Sequence, residues 1–105
     1  MKKIVLAITL LLILSACSTE FSKQSWLDNR EERSGMVSSL LQKHELTGMT
    51  EAEVIKLLGE PEQIKSEPTE YVYYLGRAGL GVDDLLFRLT FDEDGRLAAH
   101  EQTHD

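Results

Sequence analysis

Residues 46–61 read LTGMTEAEVIKLLGEP and describe a short helix whose beginning and end are both encoded locally. Thr50 is a favoured N-cap residue, and Glu53 follows it three residues later, which completes a capping box. Met49 and Val54 stand at the spacing of a hydrophobic staple across that cap. The segment therefore predicts a helix that starts directly after Thr50.

The same helix has an encoded end and one apolar face. Gly59 suits the left-handed position after the last turn, and Pro61 prevents the helix from continuing. Val54, Leu57 and Leu58 form an apolar stripe along it. Because so short a helix is unstable alone in water, we expect the stripe to pack against the rest of the domain.

Upstream, apolar residues at i, i+3 and i+4 spacing predict a second helix over residues 34–43. The residues on this spacing are Met36, Val37, Leu40, Leu41 and His44. The charged run over residues 28–33 is interpreted as a solvated face, and Trp26 as a packed side chain. Whether the helix extends back to Trp26 stays open, because one helical face carries Trp26, Arg30, Arg33 and Val37.

Downstream of Pro61 the apolar pattern changes to period two, which predicts three strands, at about residues 71–75, 85–91 and 97–99. Their apolar faces carry Tyr71, Tyr73, Leu75, Leu85, Phe87, Leu89, Phe91, Leu97 and Ala99. The turn between the last two strands favours a three-residue loop with Gly95 left-handed. That loop pairs Phe91 with Leu97 and Leu89 with Ala99, which keeps the apolar faces of both strands together.

The order helix, helix, strand, strand, strand predicts an α+β fold. We expect two helices packed on a three-stranded antiparallel meander, which is a two-layer sandwich. The chain contains one cysteine, so no intramolecular disulfide can form. Stability must therefore come from packing or from a partner.

The N-terminus predicts export. Two lysines precede an apolar run over residues 4–14, and small residues follow, as in a secretory signal peptide. The cut site resembles the lipobox of bacterial lipoproteins and consists of Leu14, Ser15, Ala16 and Cys17. The resemblance implies that Cys17 receives a diacylglyceryl group and becomes the first residue of the mature chain. Two alternatives stay open: a secretory signal cut elsewhere, and a membrane span, although the run has only about half the length that a span needs.

These observations divide the chain into a signal peptide (1–16), a lipidated cysteine with its tether (17–24) and one domain (25–105). Without Lys2 and Lys3, nine Lys and Arg residues stand against 18 Asp and Glu residues, so the mature charge is −9. Such a charge argues against nucleic acid as a partner, because nucleic-acid binding needs basic patches. It also argues against adsorption of the domain itself to anionic lipid, which leaves the acyl chains as the membrane anchor.

Within residues 46–99 the chain resembles the SmpA/OmlA (BamE-like) family of bacterial lipoproteins. The matching motif consists of Gly48, Met49, Thr50, Glu53, Val54, Leu58, Gly59 and Pro61. The resemblance implies two helices against a three-stranded antiparallel sheet. It also implies a non-enzymatic accessory lipoprotein at the periplasmic face of the outer membrane, where known members stabilise the machine that inserts β-barrel proteins. Residues 26–33 and the helix after them depart from the family pattern, and the partner-binding residues of those members have no match here.

We therefore expect a lipid-anchored scaffold or adaptor that binds another envelope protein, in outer-membrane protein assembly or envelope integrity. Its candidate contact surfaces are the open edge of the sheet and the loop residues Leu80 and Val82. Since residue 18 is serine rather than aspartate, lipoprotein sorting favours the outer membrane, facing the periplasm, in a Gram-negative host. In a Gram-positive host the anchor lies in the outer face of the plasma membrane.

The alternative function is a small periplasmic module that binds a ligand or inhibits an enzyme. An enzymatic activity is not expected, because no nucleophile and base form a recognisable set. No cofactor is expected either. His100 and His104 fall on one face of the last strand, but they lack a third ligand for a metal.

Overall fold

In a computed structural model of the chain, the structure describes residues 19–78 and 83–104. The first half is helical and contains α1 (Lys23–Asp28), a 3₁₀ segment (Arg30–Met36), α2 (Val37–Lys43) and α3 (Glu51–Leu58). The second half is an antiparallel sheet of β1 (Gln63–Lys65), β2 (Glu70–Ala78), β3 (Asp83–Phe91) and β4 (Leu97–His104). The predicted α+β class is confirmed.

The sheet has four strands in the order β1-β2-β3-β4, so the prediction of three strands is wrong. The missed strand, β1, pairs Gln63 with Val72, Ile64 with Tyr71 and Lys65 with Glu70. All three of its residues are exposed. A strand with no buried face has no alternation of apolar and polar residues, and this is why the sequence pattern did not reveal it.

The helical half also differs from the prediction of two helices. Trp26 lies in α1, a separate short helix capped by the Ser22 hydroxyl, which accepts the Ser25 N–H at 3.1 Å. The predicted helix over residues 34–43 is α-helical only from Val37, because the preceding turns are 3₁₀. Phe21 is 4% exposed, so part of the predicted tether is folded and the domain begins before residue 25.

One face of the sheet carries the core. Tyr73, Phe87 and Leu89 from the sheet are fully buried against Trp26, Met36, Leu40, Val54 and Leu58 from the helices. The predicted packing of Trp26, and of Val54 and Leu58 from the α3 stripe, is therefore confirmed. Together these side chains form one core between two layers, one helical and one sheet.

Helix α3 forms as its sequence predicts. The Glu53 N–H donates to the Thr50 hydroxyl at 3.2 Å, and the Thr50 N–H donates to the Glu53 carboxylate at 3.0 Å. At the other end, Gly59 has φ +81° and ψ −172°, so its positive φ is confirmed but the left-handed helical conformation is not. This extended region at positive φ is accessible almost only to glycine.

The hairpin between β3 and β4 confirms the predicted loop but not the full register. Gly95 has φ +77°, the Asp92 N–H donates to the Arg96 carbonyl at 2.8 Å, and Phe91 pairs with Leu97. Beyond that pair the register shifts, so Leu89 opposes His100 rather than Ala99. Ala98 is the extra residue of a β-bulge. Because of this bulge, every later side chain of β4 lies on the face opposite to the one predicted for it.

Candidate functional site

The motif that carries the family resemblance builds one end of the sheet. The Gly48 N–H donates to the Leu97 carbonyl at 2.8 Å, and the Leu97 N–H donates to the Met49 carbonyl at 2.7 Å. Thr50 forms a bridge with Arg96, whose guanidinium donates to the Gly48 carbonyl at 2.9 Å. Gly48, Met49 and Thr50 of the predicted motif therefore have a structural role: they attach the start of α3 to the start of β4.

Two tyrosine hydroxyls fasten α3 onto the sheet. Tyr71 donates to the Glu51 carboxylate at 2.7 Å, and Tyr73 donates to the Gly59 carbonyl at 2.8 Å. Burial raises the pKa of Tyr71 to about 12, and the hydrogen bond to Glu51 adds to the effect. Burial likewise raises the pKa of Tyr73. Both groups stay protonated at neutral pH, so they act as hydrogen-bond donors that position α3.

The last strand is an open edge of the sheet. β4 pairs with β3 from Leu97 to His104, and on its other side only Leu97 is covered, by Gly48 and Met49, among the residues that the structure describes. The next six positions that pair with β3, residues 99–104, are mostly exposed. An uncovered strand edge presents unpaired backbone donors and acceptors to a second chain.

The bulge at Ala98 determines which β4 side chains lie on which face. His100, Gln102 and His104 lie opposite Leu89, Phe87 and Leu85 and so share the face of the sheet that carries the core. The predicted placement of both histidines on one face is confirmed. His100 reaches only the margin of the core, where its ring lies 5.9 Å from the Phe87 ring. Among residues 19–78 and 83–104, no group of three or more side chains could hold a metal ion.

The opposite face of the sheet holds an open groove with a volume of about 520 Å³. Its floor consists of Val72, Tyr74 and Leu86. Charged groups of both signs line its rim and comprise Arg30, Glu31, Glu62, Arg77 and Asp84. The groove is open and its charged rim exceeds its apolar floor, so it differs from the enclosed and mostly apolar sites that hold small molecules.

A buried arginine connects the helical half to this groove. Arg33 is 3% exposed and its guanidinium lies 4.8 Å from the Trp26 ring. It donates to the Trp26 carbonyl at 2.7 Å, to the Tyr74 carbonyl at 3.1 Å and to the Glu62 carboxylate at 3.1 Å. Burial lowers the pKa of Arg33, and the negative charge of Glu62 opposes that shift. The solvated face predicted for the charged run is therefore wrong at Arg33, whose partner Glu62 is too distant in sequence to be inferred from a local pattern.

A second contact at the groove involves Tyr74. Its hydroxyl donates to the Glu31 carboxylate at 2.6 Å, and this hydrogen bond raises the pKa of Tyr74. The Arg30 guanidinium lies 5.3 Å from the centre of the same ring. Gly76, two residues further along β2, lies so close to the Glu31 backbone that a Cβ atom there would collide with it. No local sequence pattern marks these groove residues.

Several predicted site residues lie outside the described ranges. They are the signal residues Leu14, Ser15 and Ala16, the lipidation residue Cys17, and the loop residues Leu80 and Val82. Within those ranges, no helix has the length and apolar character needed to cross a bilayer.

The N-terminal signal segment resembles a known family of sequences. A family model for the prokaryotic membrane lipoprotein lipid attachment site matches residues 1–18. The chain thus carries a lipoprotein signal and is a lipid-anchored protein of the bacterial envelope. No curated protein and no solved structure matches it significantly, so the resemblance of residues 46–99 to the SmpA/OmlA family stays a prediction.

Proposed function

We propose that this lipoprotein is an adaptor that binds another envelope protein by adding a strand to the free edge of β4. The observation that carries the proposal is the edge itself, because residues 99–104 pair with β3 on one side and are uncovered on the other among the described residues. Strand addition takes its affinity from backbone hydrogen bonds and its selectivity from alternate side chains. On β4 those alternate side chains include His100, Gln102 and His104.

The setting of this adaptor follows from the N-terminal segment. Ser18 favours the outer membrane over the inner one if the host is Gram-negative, and the domain then faces the periplasm. The resemblance of residues 46–99 to the SmpA/OmlA family supports a role beside the machinery that inserts outer-membrane proteins. Fold resemblance does not fix a partner, so the partner has to be captured directly.

Site-directed crosslinking in cells tests the adaptor. A photoreactive residue at Gln102 lies on the free edge, and the same residue at Glu93 lies on the exposed hairpin turn as a matched control. We expect capture of an envelope protein, such as a barrel-assembly subunit, from position 102 and not from position 93. Equal yields at both positions, or none at 102, would contradict strand addition at β4.

The groove on the outer face of the sheet favours a second candidate, a ligand-binding or inhibitor module. Its apolar floor at Val72 and Leu86 and its charged rim suit an inserted peptide segment of a periplasmic enzyme. A photoreactive residue at Gln63, which lines the groove and is exposed, tests this function in the same cells. Capture of a hydrolase from position 63, with nothing captured from 102, favours the inhibitor over the adaptor.

A further inference from the structure

The connection between the lipid and the folded domain is unusually short. Only Ser18 separates the lipid-bearing Cys17 from Thr19, the first described residue. A chain extends by at most about 3.6 Å per residue, so Cys17 lies within about 7 Å of Thr19 whatever its conformation. The position of Thr19 on the domain therefore determines which surface faces the bilayer.

Thr19, Glu20 and Phe21 are held against the helical layer. The Phe21 N–H donates to the Ser39 hydroxyl at 2.9 Å, and the Phe21 side chain is 4% exposed. The Lys43 ammonium donates to the Glu20 carboxylate at 2.6 Å and to the Phe21 carbonyl at 3.1 Å. This ion pair is on the surface and contributes little by itself, so the buried ring of Phe21 provides most of the attachment.

Thr19 contacts the end of the 3₁₀ segment. A Cβ atom at Gly35 would lie 3.3 Å from the Thr19 hydroxyl oxygen, so the Thr19 side chain lies against the backbone of Gly35. The chain thus leaves the domain beside Gly35 and Ser39, on the helical layer. Ala99 and Glu101 lie on the opposite face of the sheet, since they pair with Thr90 and Arg88.

The surface at this exit differs in charge from the rest of the domain. Residues 34–44 contain no acidic side chain, although the chain has 18 Asp and Glu residues. Ser34, Ser38 and Gln42 are uncharged and exposed there, and the nearby Glu20 is paired with Lys43. Within residues 34–44 this lack of carboxylates suits a surface that approaches anionic lipid headgroups, which repel negative charge, and the exposed Glu32 and Glu45 stand at its margins.

We propose that the domain sits directly on the leaflet that holds its acyl chains, with the surface around Thr19, Gly35 and Ser38 against the headgroups. The inference deepens the proposed adaptor function and rests on acylation of Cys17. It restricts the partner: a domain without a tether meets only proteins that lie in or against the same membrane. The free edge of β4 is then presented at a fixed height and not throughout the periplasm.

Fluorescence of the intact lipoprotein in vesicles tests this seating. Cys17 is the only cysteine of the chain and its thiol is consumed by the lipid, so Ser38→Cys and Ala99→Cys each provide one labelling site. Both positions are exposed, one at the exit and one on the far face of the sheet. The fluorescent probe is an NBD group attached to the new cysteine. The vesicles consist of phosphatidylethanolamine and phosphatidylglycerol and contain a lipid with a nitroxide headgroup, which quenches NBD at the membrane surface.

We expect the nitroxide lipid to reduce NBD emission at position 38 and to leave it unchanged at position 99. Mass spectrometry of the same samples establishes acylation at Cys17. Equal quenching by the nitroxide lipid at both positions in acylated protein would overturn the seating, while lipid anchoring would stand. Absence of acylation would instead contradict the proposed function itself.

A lengthened connection provides the matched control. Twelve Gly and Ser residues inserted between Ser18 and Thr19 give a flexible reach of roughly 20 Å. The quenching at position 38 should then fall towards that at position 99. Undiminished quenching in the lengthened protein would contradict the short connection as the cause of the seating.

Discussion

Individual residues hold the helical half of this domain to its sheet. Arg33 joins Trp26, Tyr74 and Glu62 from three separate parts of the chain. Gly76 allows the backbone of Glu31 to lie directly on β2. Neither role has a local sequence signature, because each depends on a contact with a residue far away in the sequence.

Substitution of Gly76 tests the close approach of the two backbones. Gly76 has φ +122°, and a Cβ atom there would lie 3.1 Å from the Glu31 carbonyl carbon and still closer to its oxygen. Backbone strain and collision together should make Gly76→Ala cost at least about 3 kcal/mol. Gly48→Ala is the control, since Gly48 has φ +93° with no heavy atom within 4 Å, and strain alone should cost about 1–2 kcal/mol.

Urea unfolding of the two glycine variants provides the measurement. The free energy of unfolding should fall much further for Gly76→Ala than for Gly48→Ala. Equal losses would mean that the Glu31 backbone does not lie against β2 in solution.

Arg33→Met tests the buried cation. The change leaves the Trp26 and Tyr74 carbonyl groups without the Arg33 donor and removes one of the partners of the Glu62 carboxylate, which keeps the Tyr74 N–H. We therefore expect a loss of about 2–4 kcal/mol in unfolding free energy. Arg30→Met is the matched control, because Arg30 is 54% exposed and its nitrogen lies 3.6 Å from Glu62, a geometry worth about 0–1 kcal/mol. Thermal unfolding followed by circular dichroism compares the two, and a loss no larger for Arg33→Met would refute its role as a connector.

At the level of helices and strands, α3 was predicted well because all of its signals lie within residues 46–61. The cap, the stripe and the terminating glycine act over a few residues, and local physics was sufficient to find them. β1 could not be found in this way, because its three exposed residues form a strand only by pairing with β2. The register predicted for β4 is wrong for a similar reason, because the bulge at Ala98 depends on sheet geometry and leaves no apolar pattern in the sequence.

The capping box of α3 predicts a pH dependence of stability. Hydrogen bonds from Thr50 hold the pKa of Glu53 below its usual value. The unfolded chain therefore binds the proton more readily, and the stabilisation by Glu53 is present above the unfolded pKa and lost as pH falls through the folded pKa. Between about pH 5 and about pH 3, the natural chain should lose more stability than Glu53→Gln, which keeps an acceptor oxygen but does not titrate.

Urea midpoints measured across this pH range for both proteins provide the check. Parallel curves for Glu53→Gln and the natural chain would show that the capping carboxylate contributes nothing to acid sensitivity. A variant at the exposed turn, Glu93→Gln, serves as the control for loss of one negative charge.

For the molecule as a whole, sequence alone predicted the fold class and the lipid attachment, but not the arrangement of the candidate surfaces. The N-terminal pattern is local and strong, and the match over residues 1–18 agrees with it. The groove, the covered start of β4 and the packed exit at Phe21 arise from long-range contacts. The sequence therefore indicated that the protein is anchored, whereas the structure provides the surfaces on which the proposed contacts depend.

Anchoring and folding should be separable. A chain secreted through an ordinary signal peptide, with Cys17→Ser, keeps every residue of the core and should unfold at the same urea concentration as the lipidated protein. It should appear in the soluble fraction, whereas the chain with its own signal should stay with the membranes because two or three acyl chains hold it there. Membrane retention of the unlipidated chain would show that the domain binds the envelope without its lipid.

The most direct test of lipid anchoring is the intact mass of the protein extracted from membranes. We expect a mature chain of residues 17–105 whose first residue is a cysteine that carries a diacylglyceryl group. A chain that begins at any other residue, or a Cys17 without lipid, would contradict the anchored adaptor at its starting point.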